Sequence, residues 1–226
     1  MSIIIKSLSK SYGNNEVLKN IELTFKKGTI SGVVGKNGSG KTTLFKCIAG
    51  LEDYNGNIGY DNGILKNKLG FLPTNPYFLS KITGFEYLQL LCNARNINID
   101  INDKNLFDLP LNQYAETYST GMKKKLALTG LLIQNNEIYI LDEPFNGVDI
   151  QSSIIITELL IHLKKLNKII ILSSHVFSIL TDTCDNLYYL KENKIIKTAD
   201  RSSFYTIENE IKKDIILNNI DKMGLT

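Results

Sequence analysis

Residues 17–25 alternate, with Ile21, Leu23 and Phe25 apolar against Glu22, Thr24 and Lys26. A period of two marks a strand with one wet face. With a second strand-like stretch at residues 2–7, it predicts an antiparallel layer at the start of the chain. Residues 9–15 between them read as a turn carrying one aromatic, Tyr12. Residues 30–34 differ: they form a short, continuous apolar run, and Leu44 to Gly50 follow as a helix with Gly50 at the C-cap.

Residues 52–63, rich in Asn, Gly and Asp, read as turns around a strand at 57–60. Another strand, 69–72, is stopped by Pro73. Phe85, Leu88, Leu91 and Cys92 recur at helical spacing in 84–96. After a polar connector, residues 121–134 form a second helix. Helical and strand stretches are segregated here, which predicts a helical subdomain inserted at about 76–134. Beyond it the chain alternates: strand 138–141, helix 152–166, strand 169–172, a hairpin of 186–190 with 195–198 turning at Glu192-Asn193, and a terminal helix at 202–220. The class is α/β, a mostly parallel sheet with an N-terminal antiparallel β subdomain, within a single domain spanning 1–226.

Composition narrows the function without naming it. A net charge of +3 over 226 residues, with scattered lysines, argues against nucleic acid as a partner. Cys47, Cys92 and Cys184 are odd in number and without C-x-x-C spacing, so a reducing cytosol with idle thiols is expected. No stretch approaches 18 uninterrupted apolar residues, so the chain is not expected to span a membrane by itself.

The chemistry enters at Gly35-Lys36-Asn37-Gly38-Ser39-Gly40-Lys41-Thr42-Thr43, between the 30–34 strand and its helix. G-x-x-x-x-G-K-[ST] in that context is a phosphate-binding loop of a P-loop NTPase core. Its glycines let backbone N–H groups converge on an anion, the helix N-terminus adds partial positive charge, and the lysine reaches the outer phosphates. The Thr42 hydroxyl is then expected on Mg2+. Asp142-Glu143, at the C-terminal edge of strand 138–141, fits a second part: Asp142 holding Mg2+ through water, Glu143 polarising an attacking water. Taken alone, that pair is equally a charged turn; beside a P-loop it reads as a Walker B site.

Together these residues resemble the nucleotide-binding domain of ATP-binding cassette (ABC) transporters, over about residues 2–199. Tyr118-Ser119-Thr120-Gly121-Met122 carries the resemblance: it is similar to the family's Leu-Ser-Gly-Gly-Gln signature, at a helix start some twenty residues before the Walker B strand. The resemblance implies that Tyr12 stacks on adenine, that Gly147-Val148-Asp149 is the D-loop with Asp149 its acidic residue, and that His175 is the switch histidine facing the γ-phosphate. It leaves His162 as a structural residue. Ser119 and the Gly121 N–H would grip a γ-phosphate held by a second copy or a different cassette subunit. Lys123, Lys124 and Lys125 read as a solvated basic face.

One departure stands out. Where the family carries a glutamine that senses Mg2+ and water, this chain has Thr74, a shorter side chain that is not assigned as a ligand with the others. The implied function is ATP binding and hydrolysis, with ATP and Mg2+ as ligands, coupled to transport, of bacterial export type. The implied place is cytoplasmic, on the inner face of the cell membrane, against a separate membrane-spanning permease docked at Pro76 to Leu79. A soluble ABC ATPase without a transport role, or a dimerisation module with weak turnover, are the alternatives.

Overall fold

The computed structural model describes the backbone of residues 1–219 and the side-chain surroundings of residues 1–213. Two sheets organise it. Strands β1 (Ser2–Tyr12), β2 (Asn15–Lys26) and β4 (Asn55–Tyr60) form an antiparallel sheet in the order β2-β1-β4. The second sheet runs β5-β6-β7-β3-β8-β9, built from β3 (Thr29–Val34), β5 (Leu69–Leu72), β6 (Ile138–Leu141), β7 (Ile169–Ser173), β8 (Asn186–Lys191) and β9 (Lys194–Asp200). All its neighbours are parallel except the β8–β9 hairpin.

The helices are α1 (Lys41–Ile48), α2 (Gly84–Ala94), α3 (Thr120–Ile133), α4 (Ile150–Lys165), α5 (Phe177–Thr183) and α6 (Phe204–Asn219). Between β5 and β6 the regular elements are α2, α3 and single 3-10 turns. Helix α2 starts on a capping box: the Thr83 hydroxyl accepts from the Glu86 N–H while the Glu86 carboxylate accepts from the Thr83 N–H.

The continuous apolar runs are explained by burial on both faces. Ile138, Ile140, Ile169 and Ile171 face a core shared with α1 and the antiparallel sheet. Tyr139, Leu141, Ile170 and Leu172 face the opposite core, with Leu126 and Leu128 of α3, Ile156 and Leu160 of α4 and Leu180 of α5. Each strand therefore has no wet side to carry an alternating polar residue.

Two expectations are corrected, and one helix is added. Residues 9–15 are not a turn: β1 runs to Tyr12 and pairs with β2 until Tyr12↔Asn15, leaving only Gly13 and Asn14 to reverse the chain. Shifts of register beside Ser7 (φ 51°) break the alternation that would have revealed the strand. Helix α5 was not anticipated; seven residues are too few to display a helical period. The terminal helix was expected at 202–220; it begins at Phe204, after a 3-10 turn over Arg201–Ser203, and residue 220 lies outside the described residues.

Parallel pairing also fixes where chemistry can occur. The registers Leu72↔Leu141, Leu141↔Leu172 and Val33↔Ser173 align the C-terminal ends of β5, β6, β7 and β3. The residues that leave those ends, from Pro73, Asp142, Ser174 and Gly35 onward, open on one edge of the sheet, where open α/β sheets bind ligands.

Candidate functional site

A cleft of about 440 Å³ lies at this edge, lined by Val17, Asn37, Gly38 and Gly40 to Thr43, with Thr74, Asp142, Glu143, Asn146 and His175. A cavity of about 500 Å³ between β1, β2 and β8 is larger but is lined by none of the site residues the sequence singled out.

The glycine loop leaves β3 and turns into α1 with Gly38 (φ 80°) and Gly40 (φ 104°) in conformations L side chains rarely adopt, Gly40 serving as the N-cap. Buried Lys41 folds its ammonium back on the loop, donating to the carbonyl oxygens of Gly35 (2.7 Å) and Lys36 (3.2 Å). Burial pulls its pKa down, against the pull of Glu143 and Asp142 upward. The Ser39 Oγ is buried without a hydrogen-bond partner.

Asp142, 1% exposed, is surrounded by hydroxyls. Thr42 Oγ1 and Thr74 Oγ1 both donate to its Oδ2 at 2.6 Å, and Ser173 Oγ donates to Oδ1 at 2.7 Å. The Thr74 side chain, short as it is, reaches the acidic residue.

Glu143 follows with a left-handed backbone (φ 54°), which turns its carboxylate under His175. The His175 N–H donates to Oε2 at 3.1 Å; His175 Nε2 stands 3.2 Å from Oε1 but without hydrogen-bond alignment, so Oε1 has no bonded donor. Burial raises the Glu143 pKa, opposed by the charges of His175 and Lys41. A buried carboxylate with one oxygen that accepts no hydrogen bond is placed to accept a proton from water.

The remaining predicted residues stand outside this cleft. Tyr12 is 44% exposed beside the first turn of α1, with Lys10 Nζ 4.7 Å from its ring centre and its hydroxyl interacting with Glu52 and Thr43. Ser119 is the exposed N-cap of α3 and accepts from the Met122 N–H; neither it nor Gly121 lines the cleft. Asp149 caps α4 through the Ser152 N–H at 2.9 Å, and that bond, with those of Ser152 Oγ and Lys125, pulls its pKa far down.

The lysine run is the main correction at this site. Lys124 is 1% exposed and donates to the Glu143 carbonyl oxygen, while Lys125 bonds Asp149 Oδ2 and Ser152 Oγ at 3.1 Å each. These two are structural contacts and not a solvated face. Burial lowers the Lys124 pKa, against Glu143 and Asp142, which raise it. The signal was present in the spacing: Gly121, Lys124 and Leu128 fall at i, i+3 and i+7 and share the buried stripe of α3. Ser173, whose Oγ joins Asp142 to the Glu143 N–H (2.9 Å), was also missed; a strand's last residue gives no compositional cue.

The docking expectation needs revision too. Phe78 points inward, 8% exposed and edge-on to Tyr87 at 4.8 Å, whereas Tyr77 is 82% exposed. Among the described residues no helix is long and apolar enough to cross a membrane.

The cradle fits a nucleoside triphosphate with Mg2+. It offers an unpartnered buried hydroxyl at Ser39, an ammonium that among the described residues is held by two carbonyl oxygens, an open face at Gly38, and an all-oxygen donor set of hydroxyls and carboxylate suited to a hard cation.

A family model described as ABC transporter matches residues 18–146. An uncharacterised ABC transporter ATP-binding protein of Nostoc sp. is 30% identical over 195 residues, 79% of this chain; the chain spans only 58% of that relative's length. The cytochrome c biogenesis ATP-binding export protein CcmA of Reclinomonas americana is 34% identical over 188 residues, 77% of this chain and 85% of the relative. Among solved structures, a dimeric ATP-binding cassette in a post-hydrolysis state bound to ADP and Pi superposes with a TM-score of 0.78 at 20% identity, covering 88% of this chain and 98% of the other.

Proposed function

The chain belongs to the ABC transporter family as an ATP-binding subunit, and we propose that it hydrolyses ATP to drive a separate membrane-spanning permease. The observation that carries the hydrolytic part is Glu143: a buried carboxylate with one oxygen lacking a bonded donor, next to an Asp142 wrapped in hydroxyls.

In this reading the phosphate tail of ATP lies along the N–H groups of Gly35 to Thr43, and the Lys41 ammonium exchanges its loop carbonyls for phosphate oxygens. Thr42 and Asp142 would hold Mg2+, which when bound offsets phosphate charge; Thr74 joins them through Asp142 Oδ2. A water attacks the terminal phosphorus, the bond to the ADP oxygen breaks, and Glu143 takes the proton of the water while His175 faces the reacting phosphate. Tyr12 supplies a ring for adenine. Ser119 and Gly121 close the site of a second nucleotide-binding subunit, a copy or a different one, and Asp149 lies in the D-loop beside them. Export as the direction is supported by the name of the Reclinomonas relative and by the Tyr118-to-Met122 variant signature. The location is the inner face of the cell membrane.

Glu143→Gln is the direct test. It is expected to bind ATP with parental affinity, to lose hydrolysis by about a hundredfold or more, and to accumulate an ATP-bound dimer on size exclusion. Equal turnover in variant and parent would remove Glu143 from the reaction.

A further inference from the structure

Helix α3 is fastened to the segment after β6 at successive points. A Cβ on Gly121 would come closer than 3.0 Å to the Gly147 carbonyl oxygen, so the two backbones are in direct contact. One turn further, Lys124 Nζ donates to the Glu143 carbonyl, and Lys125 Nζ reaches Asp149 and Ser152. The middle link is the unusual one. Lysine is almost never fully buried unless paired, and Lys124 is spent on a backbone carbonyl.

The backbone it holds is one that needs holding. Glu143 is a non-glycine residue at φ 54°, a conformation that persists only when its surroundings impose it. Ser173 Oγ accepts from its N–H on one side and Lys124 donates to its carbonyl on the other, so two side chains pin the residue at both backbone polar groups. That backbone decides where the carboxylate stands relative to His175.

We propose that Lys124 is a positioning residue for ATP hydrolysis: it locks Glu143 in its left-handed conformation and ties the carboxylate to the helix whose first turn carries Ser119 and Gly121. This rests on the hydrolytic function proposed above. Because that first turn would meet the nucleotide held by the second subunit, Lys124 links occupancy of one site to the geometry of the carboxylate in the other.

The test is steady-state hydrolysis of MgATP by full-length parent, Lys124→Met and Lys124→Gln. Met matches the length and removes the donor; Gln keeps a shorter donor. Lys124→Met is expected to lower kcat about ten- to a hundredfold, the cost of losing a charged hydrogen bond at a buried partner, with KM for ATP within about twofold. Lys124→Gln is expected to fall between. In single turnover, Lys124→Met added to Glu143→Gln should cost nothing further, because a residue that acts through the carboxylate has nothing left to position. The proposal is overturned by a kcat within about twofold of the parent in both variants, or by fully additive losses with Glu143→Gln. Should Lys124→Met fail to fold, a parental kcat in Lys124→Gln overturns it alone. A parent without ATPase activity would bring down the hydrolytic function itself, and is distinguishable from these outcomes because it precedes any comparison of variants.

Discussion

Two buried carboxylates sit side by side in this chain with different surroundings: Asp142 accepts from three hydroxyls, whereas Glu143 keeps one oxygen without a bonded donor. Geometry at the sheet edge separates a residue equipped to organise charge from one equipped to receive a proton. A third carboxylate, Glu137, shows the opposite electrostatics. Lys68 (2.8 Å), then the Tyr60 hydroxyl (2.8 Å) and Asn62 (2.9 Å), hold its pKa down to about 2. A depressed acid stabilises the fold above its unfolded value near 4.5, and that contribution is lost as pH falls toward about 2. After discounting for solvent screening it amounts to about 1 kcal/mol. Glu137→Gln should therefore lower the urea midpoint at pH 7, and parent and variant should converge between pH 4.5 and 2. Parallel curves through that window would show that Lys68, Tyr60 and Asn62 do not hold the Glu137 carboxylate in its charged form.

At the scale of elements, the segment after β5 sorts its side chains by burial rather than by type. Phe78 packs on Tyr87 of α2, while Tyr77 and Leu79 face outward. Phe78→Ala should cost about 3 kcal/mol of stability as an emptied core site. Tyr77→Ala should stay within about 0.5 kcal/mol yet reduce co-purification with the proposed permease. Equal recovery of the permease with parent and Tyr77→Ala would move the docking surface elsewhere. This inward–outward sorting was not legible in the sequence, because a loop has no period to read. The strands at 30–34, 138–141 and 169–172 were legible for the complementary reason: burial on both faces demands unbroken apolar runs. The P-loop and Asp142-Glu143 were legible because each follows such a strand. Lys124 and Ser173 were not, since their roles depend on which residues the parallel register and the α3 packing bring opposite them.

Over the whole molecule, the cleft is finished on one side and open on the other. The glycine loop, Thr74, Asp142, Glu143 and His175 line it, yet Ser119 does not, although it stands exposed at the start of α3. Beyond Asp149, Ile150 and Ile154 lie one turn apart on α4 with 81% and 60% of their surface in water, apolar area a second subunit would cover. In the pairing proposed above, the signature of one chain would lie over the cleft of the other, which would account for both features. Because Ser39 Oγ is buried, exposed Asn37 is the better reporter on the loop. Asn37→Cys and Ser119→Cys on separate chains should cross-link with a short bis-thiol reagent when ATP is saturating in the Glu143→Gln background, and not in its absence. The native thiols should stay silent: all three are buried, with burial raising Cys47 to about 11 and Cys184 to about 12. Failure of the two new cysteines to join under saturating ATP, with each still reactive to a small maleimide, would mean that the cleft is completed by something other than the signature of a second copy of this chain.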